Sequence, residues 1–290
     1  MANLTVTTEA TSIQEKWAPE LNKAVQFDLV AFNLFKDRSS ELGDGADTLR
    51  VVNRSNITAN TKSAGSALTP EAVTNTDQTF VVSTHQAIAQ EVEDIAEIQS
   101  KYAIRSQITS FGSYALSRAM EVSATNLFDD NTTQSVGTAA AELTQQNLLD
   151  ARTLLRKSNA KGQQIIAIPV AAYSGLLKLD ILVNERYAGR NASMAVHQAQ
   201  VGKVYGATVY EMQIAVGTAP TGYGNWWADG HFFKIVQRKP TAHVWYSPLD
   251  LAYIVTMDTI YGVYELSEAD EAAAVTTDNL LHGVRLATVK

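Results

Sequence analysis

Residues 84–128 read THQAIAQEVEDIAEIQSKYAIRSQITSFGSYALSRAMEVSATNLF, with no proline among them. Ile88, Val92 and Ile95 recur at spacings of four and three, which places them on one face of an α-helix. A second apolar stripe, offset from the first, begins at Ile104. The pattern predicts a long helix around which the rest of the chain is organised.

A continuous helix from Ala87 to Phe128 would be about 63 Å long at ~1.5 Å per residue, several times the usual length in a globular domain. Small and β-branched residues between Ser106 and Ser113 favour a bend or break there. Because the stripe shifts and no heptad repeat persists, a coiled coil is disfavoured. We expect a backbone helix with sheet and loop packed on more than one side.

The composition limits the classes of function. The chain has 290 residues, of which 46% are hydrophobic and 18% charged, enough for a sizeable core. The formal net charge is −7 and no cluster of Lys and Arg offsets it, so tight nucleic-acid binding is not expected. The absence of cysteine excludes disulfides and cysteine-ligated metals. Since neither a signal peptide nor a membrane-length apolar run is evident, we expect synthesis in a cytoplasm and no membrane contact.

The N-terminal stretch has no evident place in the core of one subunit. Residues 1–16 are polar and are predicted to form a loosely held arm. From Trp17 to Phe32 the apolar residues recur at helical spacing. Two interpretations stay open for this helix: it packs on its own core, or it docks on a neighbouring subunit through Trp17, Phe27 and Phe32.

A long flap is predicted next. Two strands, Thr48–Val52 and Gln78–Ser83, flank a polar stretch that is short of large apolar side chains. A two-stranded flap of this length cannot bury its own hydrophobic face, so it is marginal alone and suits an assembly. The flap residues predicted to contact neighbouring subunits are Arg54, Ile57, Lys62, Leu68 and Val73.

The second half of the chain mixes helices and strands, and with the long helix it predicts an α+β fold. Thr144 is the predicted N-cap of a helix that ends before Gly162. Residues 217–230 are interpreted as a glycine-rich loop. The other predicted elements are a buried strand at Gln164–Val170, a short helix at Ala171–Leu179, strands within Val201–Val216, four short strands at His231–Gln237, His243–Tyr246, Leu251–Met257 and Val263–Leu266, and a fifth at Ala272–Thr277.

No motif for catalysis, cofactor binding or metal binding is present. The histidines form no HExxH pair, and there is neither a GxSxG elbow nor a GxxxxGK[ST] phosphate loop. His231 and His243 flank predicted strands and might be taken for a metal pair, but ordinary sheet histidines are the favoured interpretation. We therefore predict no catalytic residues, no cofactor, no metal and no enzyme activity.

The order of these elements carries a resemblance. A polar arm, an aromatic helix, a turn, a long flap, a long helix and a mixed sheet domain together resemble the major capsid proteins of tailed double-stranded DNA phages, the Hong Kong ninety-seven-type capsid fold. The stretches that carry it are Gly45-Ala-Asp-Thr-Leu-Arg-Val, Gln78-Thr-Phe-Val-Val-Ser, Ile168-Pro-Val-Ala-Ala-Tyr-Ser-Gly-Leu, Gly202-Lys-Val-Tyr-Gly-Ala-Thr-Val-Tyr and Tyr261-Gly-Val-Tyr-Glu-Leu.

The resemblance implies a domain plan and a structural function. Its parts are an N-terminal arm (1–40), an extended E-loop (41–84), a spine helix with peripheral domain (85–143), an axial domain (144–230), a return to the peripheral domain (231–262), and an axial strand with a C-terminal tail (263–290). It implies hexamers and pentamers in an icosahedral virion shell that encloses DNA without sequence-specific binding. A separate scaffolding protein, a portal and a decoration protein are the implied partners. The alternative is an encapsulin-type shell that encloses protein cargo.

Some members of this family join a flap lysine to an asparagine of the peripheral domain. Lys62 is suitably placed in the flap, but the stretch Leu251–Gly262 contains no asparagine. The sequence therefore predicts that this covalent cross-link is absent.

Overall fold

A computed structural model of the chain describes residues 26–43, 45–54, 57, 59–68, 70, 72–73, 75–100, 104–130, 134–158, 160, 162–179, 182, 202–268, 280–281 and 283–290. The predicted strand at 272–277 and most of the predicted aromatic helix, with Trp17, lie outside these residues. The described part of that helix contains a single turn, because residues 26–30 are not helical. For this part the prediction of a continuous helix is wrong.

Five helices and fourteen strands are described. The helices are α1 (Ala31–Leu34), α2 (Asp94–Gln99), α3 (Ile104–Asp130), α4 (Gln145–Lys157) and α5 (Val170–Leu176), with a 3-10 turn at Ser39–Glu41. The strands are β1 (Lys36–Asp37), β2 (Thr48–Arg54), β3 (Asn75–Val81), β4 (Thr84–Glu93), β5 (Ser135–Gly137), β6 (Gln164–Pro169), β7 (Lys203–Val204), β8 (Ala207–Met212), β9 (Thr221–Ala228), β10 (Phe232–Ser247), β11 (Ala252–Glu265), β12 (Ser267–Glu268), β13 (Leu280–Leu281) and β14 (Gly283–Val289).

The strands form two main sheets and two smaller pairs. A four-stranded sheet has the order β1-β10-β11-β4, and a six-stranded sheet has the order β5-β14-β9-β6-β8-β7. The pair β2-β3 is the predicted flap, and β12 pairs with β13. This mixture of helices and mostly antiparallel sheets confirms the predicted α+β class. Among the described helices, none has the length and apolarity that crossing a membrane requires.

The first part of the predicted long helix, up to Glu93, is a strand instead, and the short helix α2 follows it. All of β4 pairs with β11 in antiparallel register. Ile88 and Val92 are four residues apart, an even number, so they share one face of a strand as well as one face of a helix. Their spacing therefore fits both structures, and pairing with a strand more than 150 residues later in the chain decides between them.

The second half of the prediction is confirmed, since α3 is a helix of 27 residues. It is continuous between Ser106 and Ser113, so the predicted break does not occur there. Gly112 lets the helix approach the four-stranded sheet, because a Cβ there would lie 2.5 Å from the sulfur of Met257 on β11. Further along, the Tyr261 hydroxyl lies 2.8 Å from that of Ser123. The helix thus packs along β11.

The main core lies between the six-stranded sheet and helices α4 and α5. Every residue of β6 is buried, and α4 turns Leu148, Ala151 and Leu155 toward the sheet. The helix begins where the sequence predicts, because the Thr144 hydroxyl accepts a hydrogen bond of 3.2 Å from the N–H of Asn147. The opposite face of the same sheet packs on α3.

Two segments that the sequence assigns to irregular structure are central strands. Residues 217–230 contain β9, in which Trp226 and Trp227 are fully buried. Gly224 occurs inside this strand because a Cβ would lie 2.5 Å from the carbonyl oxygen of Ala167 on β6. Residues 277–290 contain β14, which pairs with both β9 and β5. The predictions of a loop and of a C-terminal tail are wrong at these positions.

The four short strands predicted after residue 230 are two long ones. β10 and β11 form a single antiparallel hairpin, with register shifts on either side of Arg238. The hairpin begins beside the six-stranded sheet and extends through the four-stranded sheet to a turn at 248–251. This hairpin connects the two halves of the molecule and carries its own tip outward.

Candidate assembly interface

The base of the flap is anchored in a small aromatic core. The ring of Phe80 on β3 lies 4.9 Å from that of Phe233 and 5.2 Å from that of Tyr264, measured between centroids. The Tyr264 hydroxyl donates a hydrogen bond of 2.7 Å to the carbonyl oxygen of Val81. On the paired strand, Leu49 packs against the same cluster. These contacts fix the direction in which the flap leaves the subunit.

Beyond this base the flap exposes its apolar side chains. Ile57 is 73% exposed, Leu68 58% and Val73 41%. Lys62 and the other described residues from 59 to 68 are all exposed. Arg54 is exposed as well, with its Nε donating a 3.2 Å hydrogen bond to the Asn75 side chain across the flap. The five flap residues predicted from the sequence are thus all exposed.

The aromatic residues of the arm have different positions. Phe27 is half exposed, and its N–H donates a 2.9 Å hydrogen bond to the Tyr114 hydroxyl on α3. Phe32 packs within its own subunit, with its ring 6.1 Å from that of Tyr261 in an edge-on arrangement. Trp17 lies outside the described residues. For Phe32, the structure therefore supports packing on its own core.

The tip of the β10–β11 hairpin forms a second apolar surface, which sequence reasoning missed. Leu249 is 95% exposed and Trp245 is 66% exposed, and Ile98 on the neighbouring α2 is 83% exposed. Val244, Leu251 and Ile95 are exposed beside them. Exposed large apolar side chains at the end of a hairpin suit a contact with another molecule. The sequence signal is Trp245-Tyr-Ser-Pro-Leu-Asp-Leu, where large apolar residues occupy a turn.

The flap and the edge strand β4 carry opposite charges. Arg54 and Lys62 are exposed on the flap, whereas Glu91 and Glu93 are exposed on β4. Within the described residues no further strand pairs with the outer edge of β4. Surfaces of opposite charge steer association and fix its register. Arg54 and Lys62 of the flap are thus opposite in charge to the acidic residues of β4, while the flap also carries Asp77, which pairs with Arg50.

An apolar groove runs between this edge strand and α3. Ile88 and Gln90 line one side, and Ile108, Phe111 and Ala115 line the other, around a volume of about 320 Å³. The groove is open to the surface and large enough for one or two aliphatic side chains. The groove places an apolar surface beside the acidic edge of β4.

The two histidines considered for a metal pair do not meet. His231 precedes β10 and has a buried ring, with Nδ1 3.0 Å from the carbonyl oxygen of Leu266 and Nε2 2.8 Å from Glu265. His243 lies twelve residues further along the same strand, where its Nε2 is 3.4 Å from Arg238. In the part of the chain that is described, no group of three or more His, Asp or Glu residues is arranged to hold a metal.

Comparison with known proteins identifies the fold. No model of a known protein family matches the sequence, and no curated protein matches it. A structure from Mycobacterium phage Che8 matches 95% of this chain and 96% of its own, with a TM-score of 0.78 at 15% identity. The mature capsid of bacteriophage PhiM1 matches 95% of this chain and 92% of its own, with a TM-score of 0.69 at 14% identity. The capsid of Cyanophage P-SCSP1u matches 97% and 94%, with a TM-score of 0.73 at 13% identity.

These matches run over nearly the whole of both chains. The protein therefore has the fold of phage capsid chains, as the order of its elements predicts. At identities of this level the likeness concerns the fold, and the surfaces must be interpreted from the residues of this chain. Its projecting features, the flap and the hairpin tip, are the ones that expose clustered apolar side chains.

Proposed function

We propose that this chain is the major capsid subunit of a tailed double-stranded DNA phage. It assembles through hexamers and pentamers into an icosahedral virion shell around the genome, and it is a structural protein rather than an enzyme. The observation that carries the proposal is the end-to-end match in fold to phage capsid chains. The exposed apolar flap and hairpin tip support it, since they project beyond the core of a single subunit.

The two sheets correspond to two domains in this proposal. The six-stranded sheet with α4 and α5 is the axial domain, which meets its copies around five-fold and six-fold axes. The four-stranded sheet with α3 is the peripheral domain, α3 is the spine helix, and β2-β3 is the E-loop. The strand β14 belongs to the axial domain, in place of a tail.

Contacts between copies would bury the side chains that one subunit leaves in water. Leu249, Trp245 and Ile98 are each more than half exposed, and burying a side chain of this size gives about 1.5–3 kcal/mol. Each contact is small, but a closed shell repeats it symmetrically in every subunit. The flap adds Ile57 and Leu68, with its positive charges opposite the acidic edge of a neighbour.

The charge of the chain suits a container for DNA. A net charge of −7, with no cluster of Lys and Arg in the sequence, disfavours tight binding to the nucleic acid. The genome is therefore held by the closed wall, without sequence-specific contacts. A separate scaffolding protein, a portal and a decoration protein complete the set of partners in this proposal.

The encapsulin-type alternative encloses protein cargo instead of DNA. The structures whose similarity is reported above come from phages, and two of them are described as capsids. They do not favour a cargo compartment. The two functions differ in what purified particles contain, either double-stranded DNA or protein.

Negative-stain microscopy and sedimentation of the purified full-length protein test the proposal. We expect closed shells, rings of five or six subunits, or curved sheets, formed with or without a scaffolding protein. A species that stays a compact monomer at every salt and protein concentration, with scaffold present, would contradict it.

The flap provides a matched variant. Replacing Ser55–Val73 with an Asn-Gly turn removes side chains that contribute little to the core of the subunit. We expect the thermal unfolding midpoint to stay nearly unchanged while shell formation is lost. If this variant unfolds, the flap belongs to the core, and if it assembles normally, the flap is not a contact between subunits.

A further inference from the structure

A buried carboxylate on the spine helix holds the start of the N-terminal arm. Glu121 is 1% exposed, near the middle of α3. Its Oε1 accepts hydrogen bonds from the N–H groups of Val30 at 2.9 Å and Ala31 at 2.7 Å. Its Oε2 accepts a third from the N–H of Phe32 at 2.8 Å. One side chain thus binds three successive backbone groups about 90 residues away in sequence.

These three donors need a partner from elsewhere in the chain. α1 is a single turn, and no side chain caps its first residues locally. The N–H groups of a first helical turn have no partner within the helix, and Ala31 is fully buried. A buried carboxylate is itself costly unless it is hydrogen-bonded. The Glu121 carboxylate therefore supplies acceptors for the N–H groups of the turn, and these N–H groups supply donors for the buried carboxylate. The three hydrogen bonds fix the position of the turn relative to α3.

Lys234 binds a backbone carbonyl of the same turn. Lys234 on β10 donates a 2.8 Å hydrogen bond from Nζ to the carbonyl oxygen of Phe32. Burial lowers the pKa of Lys234, and attraction to Asp37 and Glu121 opposes that effect. The turn is held at its N–H groups by a carboxylate and at a carbonyl by an ammonium.

Glu121 is one of a row of side chains that hold the arm segment along α3. Tyr114, Arg118 and Glu121 are spaced by four and three, which places them on one face of the helix. Tyr114 accepts the N–H of Phe27 at 2.9 Å, and the Arg118 guanidinium lies 5.7 Å from the centre of the Phe27 ring. Beyond Glu121, the ring of Phe35 packs 6.0 Å from that of Phe128. The segment therefore runs in the same direction as the helix.

We propose that Glu121 is the positioning residue that fixes the root of the N-terminal arm on the spine helix. The two contacts differ in kind, since the neutral Tyr114 hydroxyl accepts one hydrogen bond whereas the Glu121 carboxylate accepts three. The described part of the arm is then anchored at one defined point on α3. The consequence for assembly rests on the proposed function, since it takes the arm to be a contact between subunits.

Amide hydrogen exchange on the full chain tests the position of the root. In Glu121→Gln the amide carries one acceptor oxygen, and its NH₂ group faces a backbone donor. Since hydrogen bonds to a charged acceptor are among the stronger ones, we expect exchange at Val30, Ala31 and Phe32 to rise by at least about tenfold. Exchange in β6 and β9 should change much less. Glu142→Gln, which removes an exposed carboxylate paired with Lys178, is the matched control and should leave residues 30–32 protected.

A milder variant keeps the proposal testable if Glu121→Gln does not fold. Tyr114→Phe removes only the hydrogen bond to the N–H of Phe27. We expect faster exchange at Phe27 alone, with residues 30–32 still protected by Glu121. If Tyr114→Phe releases the whole segment, the root lies elsewhere and the proposal is overturned. It is also overturned if Glu121→Gln leaves residues 30–32 protected, or accelerates exchange equally throughout the protein.

The effect of Glu121→Gln on shell formation is measured separately, by electron microscopy of the same samples. If the unaltered protein forms no shells, the proposed function fails while the exchange result on Glu121 stands. If the unaltered protein forms shells, Glu121→Gln with a released root should form fewer or misshapen ones. Normal shells in that case would show that a fixed arm is not needed for assembly.

Discussion

Gly262 on β11 offers a sharp test of how the flap is anchored. A Cβ at this position would lie 2.0 Å from the hydroxyl oxygen of Tyr264 and 2.5 Å from the ring carbon that bears it. The Tyr264 ring is rigid and packs against Phe80 and Phe233. It cannot move aside without leaving its place at the base of the flap. Gly262→Ala should therefore act through Tyr264.

The expected loss can be worked out from the contacts. The displaced ring loses its hydrogen bond to Val81, about 0.5–1.5 kcal/mol, and its contact with Phe80, about 0.5–1.5 kcal/mol. Replacing glycine with alanine by itself stabilises the protein by about 0.4–1 kcal/mol, because it lowers the conformational entropy of the unfolded chain. We expect the free energy of unfolding to fall by about 1.3 kcal/mol, within the usual range for overpacking. For a chain of this size that lowers Tm by roughly 2–3 °C.

Urea unfolding of four proteins, arranged as a double-mutant cycle, measures the effect. Gly262→Ala is compared with Tyr264→Ala, the double variant and the parent protein. In the Tyr264→Ala background the added methyl group meets no ring, so Gly262→Ala should cost nothing within about 0.5 kcal/mol. Gly43→Ala is the control, because no atom lies within 4 Å of a Cβ at that position. An equal cost of Gly262→Ala in both backgrounds would refute the reasoning.

Three further predictions concern other parts of the surface. The double variant Trp245→Ser, Leu249→Ser should have a free energy of unfolding within about 1 kcal/mol of the parent, because both side chains are mostly in water. It should nevertheless form fewer shells, as measured by light scattering. Burial, together with the charges of Asp129 and Glu265, raises the pKa of Asp130. The stability from its neutral form is present below pH ~3.8 and is lost as pH rises through the folded pKa. Asp130→Asn should thus raise Tm at pH 7 relative to the parent, whereas Asp129→Asn, which loses a 2.9 Å ion pair with an arginine, should lower it. Assembled particles boiled in detergent should run as a single monomer band, and a ladder abolished by Lys62→Ala would contradict the predicted absence of a cross-link.

Local signals in the sequence determined several elements correctly. The N-cap at Thr144 marks the start of helix α4 because it acts within one turn, whereas the helix ends at Lys157 with Ser158 as its C-cap, before the predicted closing glycine Gly162. The strands of the flap were predictable because two apolar runs flank a long polar stretch. The flap residues Ile57, Leu68 and Val73 could be named as a contact surface for the same reason. A large apolar side chain within a polar projection has no core of its own to enter.

Other elements depended on partners that are far away in the sequence. β4 has an apolar spacing that suits a helix equally well, and pairing with β11 makes it a strand. β9 has the glycines of a loop, but Gly224 is required there by the backbone of β6. β14 follows a long polar segment and becomes central only because β9 and β5 accept it. In each case the deciding hydrogen bonds are long-range, and no window of local sequence contains them.

The sequence by itself determined the fold, through the order of arm, flap, long helix and mixed sheets, and it predicted the exposed apolar residues of the flap. Only the tertiary structure decided which residues anchor these projections. Glu121 reads in the sequence as one charged residue in an apolar helix, and its role is visible only where three backbone N–H groups converge on it. The sequence around Trp245 and Leu249 predicts ordinary strand and turn, and only the structure shows that these side chains are left exposed at the hairpin tip. Composition and spacing record what a side chain is, whereas burial and exposure depend on which distant segments come to lie beside it.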